Sequence, residues 1–133
     1  MPPKKGACKF KRGQIWNIDL SPTRGHEIRT GKKDNSRPCL ILSPSKVNNI
    51  GMVFIAPITQ GAADIAGEEG FLVTLSGAGT KTAGKIVLNQ TRFLDIKDRI
   101  SPSSFVEVVD DYIVEECLGK LNAILDLDLE EED

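Results

Sequence analysis

Arg37, Thr59, His26 and Glu27 are the side chains of this sequence best suited to handle a phosphate ester. Arg37 stands in Arg37-Pro38-Cys39-Leu40-Ile41-Leu42-Ser43. Its charge is permanent and its planar fork can grip two phosphate oxygens at once. A fixed cation there would stabilise negative charge growing on a phosphoryl group. Thr59 stands in Ala56-Pro57-Ile58-Thr59-Gln60-Gly61, and its hydroxyl can donate to a phosphate or orient an attacking oxygen. His26 follows Pro22-Thr23-Arg24-Gly25 and is the chain's single histidine, the natural proton carrier near neutral pH. Glu27 beside it is a candidate base. Each residue also has a plainer reading. Arg37 would be a surface cation before a strand, Thr59 a β-branched strand ending and His26 a solvated loop imidazole. Glu27 would be the partner of a nearby Lys or Arg.

These residues need strand ends to hold them, and the pattern supplies such ends. Gln14 to Leu20 alternates, with Trp16, Ile18 and Leu20 on one side and Asn17 and Asp19 on the other, which is a strand signature. Ser21-Pro22 ends it, since proline removes a ladder donor. Residues 21–36 are polar and read as one long loop, of the length that functional loops reach. Pro38 to Leu42 reads as a short apolar strand, with a turn or short helix around Lys46 to Asn49. Met52 to Ile58 reads as a third strand, apolar throughout and so buried on both faces. Gln60 to Gly70 is a Gly/Ala loop. Phe71 to Leu75 alternates again, and Ser76-Gly77-Ala78-Gly79 is turn chemistry. Lys85 to Asn89 and Thr91 to Asp95 are two short strands or one bent strand. Strands this short, separated by Gly and Pro turns, indicate a small barrel. Ser101-Pro102-Ser103-Ser104 then reads as a helix cap. Phe105, Val108, Val109, Tyr112, Ile113, Cys117, Leu121, Ile124 and Leu125 recur at threes and fours, the stripe of an amphipathic helix. Residues 126–133 are acidic.

The 133 residues form one domain on length, large enough to need no disulfide or metal staple. The expected layout is a flexible basic arm at 1–11, a β-barrel at 12–100, a C-terminal helix at 104–125 and an acidic tail at 126–133. Hydrophobic residues make up 40% of the chain, the composition of a globular protein. Aromatics are only 5%, so broad base-stacking platforms should not dominate any nucleic-acid contact. The net charge of −2 conceals an asymmetry. Residues 1–37 hold ten Lys/Arg against three Asp/Glu, whereas residues 104–133 hold one Lys against eleven Asp/Glu. The basic front could attract phosphate, and the acidic end could screen it; solvated surface of both signs is the plainer alternative. Cys8, Cys39 and Cys117 are odd in number and form no CxxC pair. Cys39 and Cys117 lie among apolar residues and read as core thiols of a reducing compartment. The sequence holds no apolar run long enough to span a membrane and no secretory signal. A single histidine and scattered carboxylates make no zinc or two-metal site, so no cofactor is expected.

The three runs around His26, Arg37 and Thr59, taken in order and followed by Val87-Leu88-Asn89-Gln90, resemble the MazF/PemK family of toxin endoribonucleases. The resemblance extends from about Arg12 to about Arg99, with a helix of the right kind after it. It implies a mainly β fold with a C-terminal helix, a small SH3-like β-barrel of the MazF/CcdB type. It implies sequence-specific, metal-independent cleavage of single-stranded RNA in the cytoplasm, leaving 2′,3′-cyclic phosphate and 5′-hydroxyl ends. It implies Arg37, Thr59 and His26 as catalytic residues, with Glu27, Ser43, Gln60, Asn89 and Gln90 as RNA contacts. It further implies a homodimer and a cognate antitoxin whose acidic, disordered segment folds over the site. The sequence departs from PemK-like members that carry Arg-Xaa-Asp before the matching glutamine. Val87 and Asn89 stand there instead, and Asn89 can hydrogen-bond but cannot act as an acid. Proton transfer then falls to Arg37, His26 or Glu27. A non-catalytic toxin of the same scaffold acting on DNA gyrase, or an SH3-like binding module, stays open as an alternative. Arg37, Thr59 and His26 together favour the enzyme.

Overall fold

A computed structural model describes residues 9–21, 36–60, 71–101 and 103–126. His26 and Glu27, the basic arm before Lys9 and the acidic tail after Asp126 lie outside them. The chain is mainly β, as the pattern indicates. Its strands are β1 (Gln14–Asp19), β2 (Ser36–Ile41), β3 (Val53–Thr59), β4 (Leu72–Thr74), β5 (Lys85–Val87), β6 (Arg92–Leu94) and β7 (Phe105–Val108). The described residues also hold helix α1 (Ser45–Asn48), helix α2 (Asp111–Leu125) and 3₁₀ turns at Leu88–Gln90 and Ile96–Arg99.

The strands make one antiparallel sheet in the order β4-β5-β3-β2-β1-β7, with β6 also on β3. Among the described residues the sheet is open rather than closed into a barrel. β3 is its centre. One edge of β3 pairs with β2 through Cys39↔Pro57, Leu40↔Ala56 and Ile41↔Ile55. The other edge is divided: β6 pairs at Val53 to Ile55, and β5 at Ile58 and Thr59. Between them the register slips by three residues, which the 3₁₀ turn Leu88–Gln90 takes up. The sequence's "one bent strand" is this pair with its break. Pro57, which donates no ladder bond, lies in the gap between the two partners.

Alternation divides the apolar side chains between two cores. One face of the sheet sets Ile15, Leu40, Ala56, Ile58 and Ile86 against Ile113, Cys117 and Leu121 of α2. The other gathers Trp16, Ile18, Cys39, Ile41, Val53 and Ile55 with Leu94 and Ile96. Cys39 and Cys117 are buried free thiols, as expected.

One element departs from the pattern. The helix does not begin at 104: Phe105–Val108 is a strand paired with β1, through Gln14↔Val108, Ile15↔Glu107 and Trp16↔Phe105. The serines that read as a helix cap instead close a turn, with Ser101 N donating to Ser104 Oγ (2.8 Å) and Ser104 N to Ser101 O (3.0 Å). The helix starts only after Asp110, whose backbone is extended.

Candidate phosphate site at one end of the sheet

Arg37 is the second residue of β2 and Thr59 the last of β3. The β2–β3 register, continued by two residues, sets them directly opposite each other. Cross-strand partners share a face, so the two side chains leave the sheet on the same side. Arg37 bends toward β3, its Nη1 donating to Ile58 O at 3.0 Å. Both side chains are half-buried. Burial lowers the Arg37 pKa from its ordinary value, and the nearby Cys39 opposes that shift. A guanidinium remains charged regardless, so partial desolvation strengthens its hold on an anion. Cys39 lies below it, fully buried, its thiol pushed up to about 12 by burial against the pull of Arg37 and Arg92. It is a neutral wall of the site.

More cations converge on the same end. Arg92 shares the face with Arg37, opposite Ile55, and its Nη2 donates to Leu20 O at 2.5 Å. Arg99 Nη1 donates to Asp19 O (3.0 Å) and Ser21 O (2.6 Å). Both guanidinium groups thus tie down the end of β1, where the segment holding His26 departs. A polar hollow of about 360 Å3 at the same end of β1 and β2 is lined by Asn17, Asp19, Ser36, Arg99 and Ser101 among others and lies on the sheet face opposite Arg37. A larger one, about 570 Å3, lies at the opposite end of β3, around Phe10, Ile50 and Ile96, away from Arg37 and Thr59.

The other expected RNA contacts divide. Gln60 is exposed immediately beyond Thr59, while exposed Asn89 and half-buried Gln90 sit on the 3₁₀ turn. Ser43 falls elsewhere. It lies beyond the far end of β2, 5% exposed. Its hydroxyl donates to Asn48 Oδ1 and accepts from Phe54 N (2.9 Å). With its donor and its acceptor both engaged in a buried turn, Ser43 has a structural role in place of the expected RNA contact.

Sequence reasoning missed Gly84. Its φ of +121° suits glycine, and a Cβ there would lie 2.4 Å from Thr59 O. Its place at the start of a strand, where β5 closes on β3, was the available signal.

The family described as PemK-like, MazF-like toxin of type II toxin–antitoxin systems matches residues 11–125. Endoribonuclease PemK of Escherichia coli is 36% identical over 117 residues, 87% of this chain and 82% of that protein. Endoribonuclease toxin ChpB of Escherichia coli K12 is 34% identical over 118 residues, 89% and 96% of the two chains. A MazE–MazF crystal structure from Deinococcus radiodurans superposes with a TM-score of 0.68 at 26% identity, covering 88% of this chain and 96% of the other.

Proposed function

This chain belongs to the PemK-like, MazF-like toxin family of type II toxin–antitoxin systems, and from that premise we propose that it is an endoribonuclease toxin with Arg37 and Thr59 at its reacting centre. The observation that carries the reading is the cross-strand pair itself, a cation and a hydroxyl on one face at one sheet end. The substrate is single-stranded RNA, whose bases splay out to be read. The 2′-hydroxyl oxygen bonds to the adjacent phosphorus and the bond from phosphorus to the 5′-oxygen breaks. The 2′-proton is lost and the departing 5′-oxygen gains one. Arg37 stabilises the charge on the non-bridging oxygens and Thr59 holds the phosphate in line. His26 and Glu27 are the proposed proton carriers, and Gln60, Asn89 and Gln90 the proposed contacts to flanking nucleotides. The chemistry draws on the chain's own groups and needs no metal.

The toxin works in the cytoplasm against a cognate antitoxin, the kind of assembly in the MazE–MazF relative. It acts as a homodimer. Phe105, Val108 and Tyr112, on β7 and the first turn of α2, leave 45–61% of their surface exposed, and such apolar surface would be covered in a dimer. A monomer mass by light scattering at micromolar concentration would rule the dimer out.

The test is to digest a mixed-sequence transcript in EDTA and map the new 5′-hydroxyl ends. Cuts at a few defined sites are expected, and a 2′-deoxyribose at a cut site should block it. Loss of cutting on chelation, restored by added metal, would overturn the mechanism. Gyrase-dependent DNA breaks without RNA cutting would favour the non-catalytic alternative.

A further inference from the structure

Thr59 has a neighbour on each edge. Opposite Arg37, its register partner is Lys85 of β5, which in turn faces Thr74 of β4. Arg37, Thr59 and Lys85 therefore form one row on one face, two strand spacings or roughly 10 Å from end to end. Lys85 is exposed, and its ammonium has no hydrogen-bond or ion-pair partner among the described residues.

The backbone that carries it is held firmly. Gly84 presses on Thr59 O, and its own carbonyl accepts from Leu75 N at 3.0 Å. The loop before it is clamped by Glu107, whose carboxylate accepts from Lys81 N (2.9 Å), Thr82 N (2.7 Å) and Thr82 Oγ1 (2.7 Å). A mobile charge thus rises from a fixed root beside the hydroxyl of the site.

We propose that Lys85 is a second phosphate-binding cation, holding the RNA backbone on the side of Thr59 away from Arg37. The inference rests on the endoribonuclease reading above. The two cations differ in kind. Arg37 is a half-buried fork suited to the reacting phosphate. Lys85 is a solvated point charge on a flexible stem, suited to a neighbouring phosphate. Such a contact positions the strand without reading its sequence.

The test uses an RNA oligonucleotide carrying a mapped cut site with 2′-deoxyribose at the cut, so that binding is measured without cleavage. Affinities of wild type, Lys85→Met, Lys85→Arg and, as a remote control, Lys97→Met are measured between 50 and 200 mM salt. Lys85→Met should bind several-fold more weakly at low salt and lower the slope of log affinity against log salt by about 0.7, one single-strand phosphate contact. Lys85→Arg should restore both, and Lys97→Met should match wild type. On cleavable RNA, Lys85→Met should raise KM and leave kcat and the choice of cut site near wild type. An unchanged salt slope in a folded Lys85→Met protein, with wild type cutting RNA normally, would overturn the Lys85 assignment alone. Wild type that neither binds nor cuts RNA would remove the parent reading and this one with it.

Discussion

The two ends of the β2–β3 pair hold polar side chains under opposite regimes. At one end Arg37 and Thr59 are half-buried. At the other, Ser43 and Asn48 are 5% and 4% exposed. Asn48 Nδ2 donates to Phe10 O (2.8 Å) and Ser43 O (3.0 Å), while its Oδ1 accepts from the Ser43 hydroxyl. The far end uses polarity to fix a turn, because a buried polar atom without a partner is costly. The near end withdraws a cation partly from water and keeps it within reach of an incoming anion. A polar residue at a strand end is therefore not in itself a sign of function. What separates the two ends is burial: Ser43 and Asn48 are closed off from solvent, whereas Arg37 and Thr59 keep part of their surface exposed.

Arg37→Ala should have the largest effect and a purely functional one. Cleavage should fall by roughly 10²–10³ with the melting temperature nearly unchanged, and Arg37→Lys should restore only part. A folded Arg37→Ala protein with near-normal cutting would erase the distinction. Asn48→Ala should do the reverse. It leaves buried partners unsatisfied, at about 2–3 kcal/mol, so the melting temperature should drop by roughly 10 °C. Activity per folded molecule should hold, and a fall in kcat instead would join the two ends functionally.

Glu107 sharpens the comparison at intermediate size. Burial pushes its carboxyl up, but the Thr82 hydroxyl and the Lys81 and Thr82 amides outweigh it and leave it below the ordinary carboxylate range. A depressed carboxylate contributes stability above its unfolded pKa, about 4.3, and loses it as pH falls through the lower folded value. Glu107→Gln should cost about 1 kcal/mol at pH 7, and the gap from wild type should shrink below about pH 4 in thermal melts. A gap of constant size across that range would show that charge is not what holds the loop. The smallest effect belongs to Cys39. With its thiol pushed up to about 12, iodoacetamide at pH 8 should leave it unmodified and the activity intact. Labelling within minutes would mean that the floor beneath Arg37 opens readily.

Much of this was legible beforehand. Trp16, Ile18 and Leu20 alternate because one face of β1 meets a core, and the strand followed from that spacing. Arg37 and Thr59 were legible as types at strand ends. Their adjacency was not, because register depends on pairing between segments far apart in sequence. The burial of Ser43 was not legible either, because its partners, Asn48 and Phe54, come from the following turn and strand. β7 was misread because Phe105, Val108, Val109 and Tyr112 happen to recur at helical spacing across a strand and a helix. The valines at 106, 108 and 109, stopped by Asp110-Asp111, carried the better signal. Lys85 was invisible as a site residue, since one lysine in a short strand says nothing until its partners are known.

The β1–β7 pairing bears on how the protein comes off the ribosome. Gln14 meets Val108, and Val109 N donates to Gly13 O at 2.8 Å. One edge of the first strand stays open until the seventh has emerged. Arg37, Thr59 and Lys85 are all synthesised before that closure. Such long-range closure is entropically demanding and tends to come late. A nascent chain would thus carry every residue of the proposed cutting site before it has a finished sheet to cut with.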